Sequence, residues 1–265
     1  ECGVPGDSGE ARANANPLYR RGDQGADGGS GPGEGALRAL YAIGETNRSL
    51  NSDKPMDVFG GSGEGYVEKL RAGFAHVKPE DTVVLCGDLS WGMSLEEARA
   101  DFAFLDALPG RKILLKGNHD YWWTTANKMN TFFQENGFTT LNILHNNCYF
   151  YGDLALCGTR GWFFEENAKP QSAKVFRREV MRLEASLKAA DEREKLCFLH
   201  YPPLYQGYTC PEILALLEQY GVTACYYGHL HGGSHRLALE GTYGTVRYSL
   251  VSADYLRFYP KIICE

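Results

Sequence analysis

Apolar positions along the chain follow two periods. Val67, Leu70, Phe74 and Val77 recur at helical spacing and predict a helix over 64–77. Val175, Phe176, Val180, Leu183 and Leu187 line one face of a longer helix over 171–190. Further helices are predicted over 94–108, where Ser94 and Glu97 fit a capping box, over 124–136, stopping before Gly137, and over 211–220. Short unbroken apolar runs predict buried strands over 37–43, 82–86, 112–116, 195–199 and 223–227. Strands over 148–151 and 154–157 flank a turn at Gly152-Asp153, and 236–254 reads as strands with Gly241 and Gly244 in turns. Strands that alternate with helices and then give way to hairpins predict a mixed α/β sandwich with helices outside. No repeat and no internal boundary is visible over 36–265.

Residues 1–35 break the pattern. They hold ten of the 31 glycines, and their large apolar residues are Val4, Leu18 and Tyr19 only. Such a segment buries too little surface to offset its ordering entropy, so it reads as a disordered Gly-rich lead or tag, with a binding arm as the alternative.

Composition then narrows the classes. With 265 residues, 43% apolar and 23% charged, collagen-like, coiled-coil and wholly disordered chains are excluded. The net charge of −6 argues against a basic nucleic-acid surface and against an anionic membrane. It also leaves open what would attract an anionic substrate. There is no run of 18 apolar residues, and no basic segment followed by an apolar one near the start, so neither a transmembrane helix nor a secretory signal is expected. Eight cysteines without a CxxC pair, several inside apolar runs, read as buried thiols in a reducing cytoplasm.

Polar residues collect just after predicted strands. Gly44-Glu45-Thr46-Asn47, Gly87-Asp88, Gly117-Asn118-His119-Asp120, His200-Tyr201 and Gly228-His229-Leu230-His231 each follow one. Ligands of open α/β sheets bind outside the carboxyl ends of strands. Carboxylate, amide and imidazole without thiolate suit a divalent metal such as Mn, Fe or Zn. His229 and His231, two apart, share one side of an extended segment, and Asp88 could bridge two ions. Each cluster alone is more often a turn or a satisfied core histidine. Together and in this order they are not readily coincidental. His76, His145 and His235 read as core histidines.

Gly87-Asp88, Gly117-Asn118-His119-Asp120, His200 and Gly228-His229-Leu230-His231 resemble the metal-site motifs of the calcineurin-like metallophosphoesterase superfamily, in its bacterial-type phosphohydrolases. The resemblance spans about 40–254. It implies a four-layer αββα sandwich of two mixed β-sheets flanked by helices. It also implies a dinuclear centre that hydrolyses phosphomonoesters or phosphodiesters through a bridging hydroxide. By resemblance, Asp88 bridges the metals, Asn118, His200 and His229 complete one shell, and His231 joins Glu45 and Asn47 at the other. His119 faces the phosphate and protonates the leaving group, while Asn118 also helps neutralise its charge.

Two departures stand out. The family's first motif is Gly-Asp-x-His, whereas this chain has a longer carboxylate at Glu45 and an amide at Asn47. Where many members carry an Asp that orients the catalytic histidine, this chain has Trp91. One metal site is thus intact and the other altered, so the two ions are expected to bind unequally. The implied cofactors are two divalent ions, Mn first, with Fe, Zn and Mg as the other candidates. The implied partner is a small phosphoester, without nucleic acid or membrane. Arg160 is a candidate phosphate contact or a surface arginine, and Tyr121 and Trp122 are candidate walls of the substrate pocket, although core packing fits at least one of the aromatics in that run. The alternative function is a catalytically impaired binding or scaffold protein. If metals occupy the site, Glu45 and Asp88 are offset locally, and phosphate binding depends on metal rather than on surface charge.

Overall fold

The structure, a computed structural model, describes residues 38–46, 65–162 and 170–265. The Gly-rich lead and Asn47 lie outside these residues. In chain order the elements are β1 (Leu40–Ile43), α1 (Tyr66–Phe74), β2 (Thr82–Leu85), α2 (Arg99–Ala107), β3 (Arg111–Leu114), α3 (Ala126–Glu135), β4 (Leu141–Ile143), β5 (Tyr149–Tyr151) and β6 (Leu154–Thr159). They continue with α4 (Pro170–Lys188), β7 (Glu194–Leu199), β8 (Leu204–Tyr205), β9 (Tyr208–Thr209), α5 (Pro211–Gln219), β10 (Val222–Tyr227), β11 (Gly241–Tyr243), β12 (Val246–Leu250) and β13 (Lys261–Cys264).

Two large mixed sheets form. One runs β13-β1-β2-β3-β4, parallel except for β13. The other runs β11-β12-β10-β7-β6-β5, with antiparallel strands only at its edges. Their central strands are apolar on both faces because both faces are covered. Tyr41 and Ile43 of β1, with Val83 and Leu85 of β2, pack under α1, α2 and α3. The alternate residues Leu40, Ala42 and Val84 meet Leu156, Phe198 and Tyr226 of the other sheet. On the far side, Cys157, Cys197 and Tyr227 pack under Leu183 and Leu187 of α4 and Ile213 and Leu217 of α5. Three apolar layers thus separate helices, sheet, sheet and helices. The seven described cysteines are free thiols.

The two sheets meet at the carboxyl ends of their strands. Gly44, just past β1, bridges Ser252, just past β12, and exchanges backbone hydrogen bonds with Val251 and Ala253. A Cβ on Gly44 would lie only 3.3 Å from the Cys86 Cβ. That is a tight contact with the neighbouring strand end of the same sheet, which a larger residue would meet only with a small shift.

Most expected elements are present, with three instructive differences. Ser94 Oγ accepts from the Glu97 amide, yet the α-helix begins only at Arg99, after a turn. The segment 232–237 is a 3-10 helix rather than the start of a strand, and Gly241 lies in β11 rather than in a turn. Strands β4 and β13 were not expected. They are short edge strands of three and four residues, too brief to show a period of two.

Helix α4 is fastened to β6 by a buried carboxylate. Glu179, 1% exposed, accepts from the Thr159 hydroxyl at 2.9 Å and pairs with Arg160 at 3.1 Å and Arg182 at 2.6 Å. Glu179→Ala leaves the largely buried Arg160 without its carboxylate. We expect a loss of about 2–4 kcal/mol in urea unfolding. A loss under about 0.5 kcal/mol, the range of ordinary surface changes, would refute this fastening.

Candidate metal centre

Five loops leave the carboxyl ends of β1, β2, β3, β7 and β10 and converge. Asp120, fully buried, organises two of them. Its Oδ2 accepts from the amides of Gly117 at 2.7 Å and Asp88 at 2.9 Å. Its Oδ1 accepts from Leu89 at 2.8 Å, Ser90 at 3.2 Å and the Trp122 indole at 3.0 Å. The loop after β2 and the loop after β3 thus hang from one side chain. Asp88 Oδ1 in turn accepts from the His119 amide at 2.8 Å.

The side chains gather closely. Glu45, Asp88 and His200, all buried, offer donor atoms that lie within 4.8 Å of one another. His200 Nδ1 sits 3.3 Å from Glu45 Oε1 and 3.1 Å from the Cys86 carbonyl. Its Nε2 meets Asn118 Oδ1 at 2.5 Å, His229 Nδ1 at 3.2 Å and Asp88 Oδ2 at 3.7 Å. His231 Nε2 lies 3.0 Å from Glu45 Oε2, and its Nδ1 lies 3.2 Å from Asp254 Oδ1. The His229 amide donates to Glu45 Oε1.

The backbone here is strained in a repeated way. Glu45, Asp88 and His229 each follow a strand-end glycine, and all three adopt φ between 52° and 72°. This left-handed conformation is uncommon for residues with a Cβ and persists only where the surroundings impose it. Gly117 leaves the space that Asp88 occupies, since a Cβ there would lie 2.0 Å from Asp88 Oδ1.

Electrostatics follow from burial. Loss of solvent raises the Glu45 pKa, and Asp88 raises it further against the pull of His200 and His231. Burial and the neighbouring His200 lower His229 to about 3. Burial alone would lower His231 too, but hydrogen bonds to Asp254 and Glu45 carry it up to about 10. Burial and the Asp88 charge push Asp120 up to about 6, against the opposing amides of Gly117, Leu89 and Ser90.

Comparison with known proteins bears on this arrangement. The profile of the calcineurin-like phosphoesterases matches residues 42–233. The chain belongs to that family. The fold of this chain is similar to that of a phosphopantetheinyl hydrolase from Mycobacterium tuberculosis, at 16% identity and a TM-score of 0.55, covering 86% of this chain and 96% of that one. A protein of unknown function from Aquifex aeolicus is similar at 14% identity and a TM-score of 0.48, covering 85% of this chain and 96% of that one. No curated protein matches the sequence.

The family implies divalent metal ions, and the phosphoesterase cluster fits such an ion. Its donors are carboxylate oxygen and imidazole nitrogen without thiolate. Among the described residues, only histidines lie within ion-pair reach of the Glu45 and Asp88 carboxylates. A divalent cation would offset the burial of both.

Other expected site residues of the phosphoesterase are placed less uniformly. Tyr121 is 53% exposed, with its hydroxyl 3.5 Å from His119 Nδ1. Trp122 is 2% exposed, packs edge-on against Phe102 and donates to Asp120, and the open cavity it borders with Leu95 and Phe132 is lined by none of the cluster residues. Arg160 turns its guanidinium to Glu179 and over the Trp162 ring, 4.7 Å from its centroid. His235, expected in the core, is only half-buried and lies 3.1 Å from Asp254 Oδ2, while His76 is exposed against Tyr41.

Sequence reasoning assigned no role to Asp120 or Asp254. Asp120 was visible only as the last letter of its motif. Asp254 lies 23 residues from His231 and carries no local signal.

Asp120→Asn keeps the shape but sets an amide N–H against backbone donors. We expect a stability loss of about 2–4 kcal/mol in urea, because at least two buried N–H groups lose their acceptor. Wild-type stability in this variant would mean that Asp120 does not tie the loops.

Proposed function

We propose that the protein hydrolyses phosphomonoesters or phosphodiesters at a dinuclear metal centre. The observation that carries this reading is the convergence of Glu45, Asp88 and His200 within 4.8 Å, at the ends of strands from both sheets. Asp88 is the candidate bridge. Asn118, His200 and His229, which meet at His200 Nε2, are the candidate ligands of one ion, and Glu45 and His231, in contact with each other, those of the second. Asn47, a candidate ligand of the second ion, lies outside the described residues. Divalent ions bound there would supply charge that activates water and offsets the phosphoryl oxygens.

The protein's own residues do the rest. Hydrolysis consumes one water and breaks the P–O bond to the leaving group. His119, whose amide is anchored on Asp88, gives the proton to the leaving oxygen. The Asn118 side chain adds a polar contact for the phosphoryl charge. Tyr121, exposed beside His119, is the candidate contact for the leaving group, and Arg160 a candidate contact for phosphate only if it leaves Glu179. Mn suits the mixed oxygen and nitrogen donors, with Fe, Zn and Mg as the other candidates. A cytoplasmic setting accords with the free thiols. No helix among the described residues is long and apolar enough to cross a membrane.

Glu45 supports an active enzyme rather than an impaired scaffold. Its longer side chain still reaches the cluster, with one oxygen at the His229 amide and the other at His231. The test is hydrolysis of p-nitrophenyl phosphate and its bis ester with added Mn. We expect turnover of these esters by the wild type and, on phenyl phosphate, whose leaving group needs the proton far more, a fall in kcat of about 10²–10⁴-fold in His119→Ala. Turnover absent from the wild type but present in Glu45→Asp/Asn47→His would establish the scaffold reading instead. Metal content after gel filtration checks the unequal sites, with about one ion retained without added Mn. Two tightly held ions would overturn that expectation.

Asp254 holds His231 by the nitrogen opposite Glu45, as an outer carboxylate holds a ligating imidazole. Asp254→Ala should weaken Mn binding by about 10–100-fold in titration calorimetry. Unchanged affinity would remove Asp254 from the centre.

A further inference from the structure

His119 is held in an unusual way. Among the described residues, no carboxylate lies within ion-pair reach of its ring. The Tyr121 hydroxyl lies 3.5 Å from its Nδ1, too far for a strong hydrogen bond. The ring is instead covered by Trp91. The two lie face to face, with centroids 4.6 Å apart and planes 13° from parallel.

The stack has a rigid base. The Ser90 amide donates to Asp120 Oδ1, and the Ser90 hydroxyl donates to Asp101 at 2.5 Å while accepting from the Gly92 amide at 3.1 Å. Both neighbours of Trp91 are thus tied down. Asp120 directly follows His119, so the same carboxylate anchors both rings. The Trp91 indole N–H is buried and has no hydrogen-bond partner among the described residues. No polar contact of the indole therefore explains its place, and what it offers is its flat face.

We propose that Trp91 is a positioning residue for His119, fixing the plane of the imidazole so that it is presented to the leaving oxygen. The proposal rests on the reading of His119 as proton donor given above. A planar neighbour in parallel contact blocks rotation of the imidazole about its Cβ–Cγ bond. A ring without a carboxylate partner would otherwise turn freely between orientations, only some of which aim a nitrogen at the substrate.

The test uses the Mn-loaded enzyme and two substrates. A phenolate leaving group needs the proton more than p-nitrophenolate does. In Trp91→Ala, kcat for phenyl phosphate should fall by about tenfold or more, and for p-nitrophenyl phosphate by much less, with KM and metal content little changed. Trp91→Phe, which keeps a flat face, should recover most of the loss. With diamagnetic Mg in place of Mn, the proton signals of the His119 ring should lie upfield in the wild type and in Trp91→Phe, and move downfield in Trp91→Ala. Equal losses on both substrates, a change confined to KM, or no recovery in Trp91→Phe would overturn the proposal. His119→Ala run in parallel separates the two readings. If it shows the substrate-selective loss and Trp91→Ala does not, only the role of Trp91 falls. If His119→Ala shows none, both fall.

Discussion

A buried carboxylate that accepts five N–H groups constrains nearly everything at the carboxyl ends of the first sheet. Asp120 receives amides from both loops that flank it and the indole of Trp122. Each of those donors would otherwise be buried without an acceptor, which is costly. The loops after β2 and β3 therefore cannot move independently. This explains how Asp88 can hold a left-handed backbone, since the surrounding bonds over-determine it. It also explains why Trp91 and His119, on different loops, keep their rings in register.

The second constraint is the meeting of two sheets. Glu45, Asp88 and Asn118 come from the ends of β1, β2 and β3. His200, His229 and His231 come from the ends of β7 and β10. The Gly44–Ser252 bridge closes the distance between the two groups, and only residues without a bulky side chain at Gly117 and Gly228 leave room. Acidic and imidazole groups end up packed together under low solvent access. That is why their pKa values separate so widely, with His229 lowered to about 3 and His231 raised to about 10.

Much of the fold was legible in the chain. Apolar runs such as Val83-Val84-Leu85 are buried on both faces, as parallel strands between two layers must be. The site was legible where it was local, as at Gly87-Asp88 or Gly228-His229-Leu230-His231. Contacts made across long stretches of chain were not. Asp254 reaches both His231 and His235 across the 3-10 helix and the turn after β12, neither of which has a periodic signature. Trp122 and Tyr121 are neighbours in sequence, yet one is core and the other surface, because a turn directs successive side chains apart.

The sequence by itself determined the family motifs, their order and the strand ends on which they sit, because these depend on residue type and on short-range periodicity. Only the tertiary structure decided that Glu45, despite its extra methylene, reaches both His229 and His231. It also decided that Arg160 turns to Glu179 and that Trp91 lies face to face on the His119 ring. Such outcomes turn on distances between chain segments tens to hundreds of residues apart, and packing, rather than local preference, sets those distances.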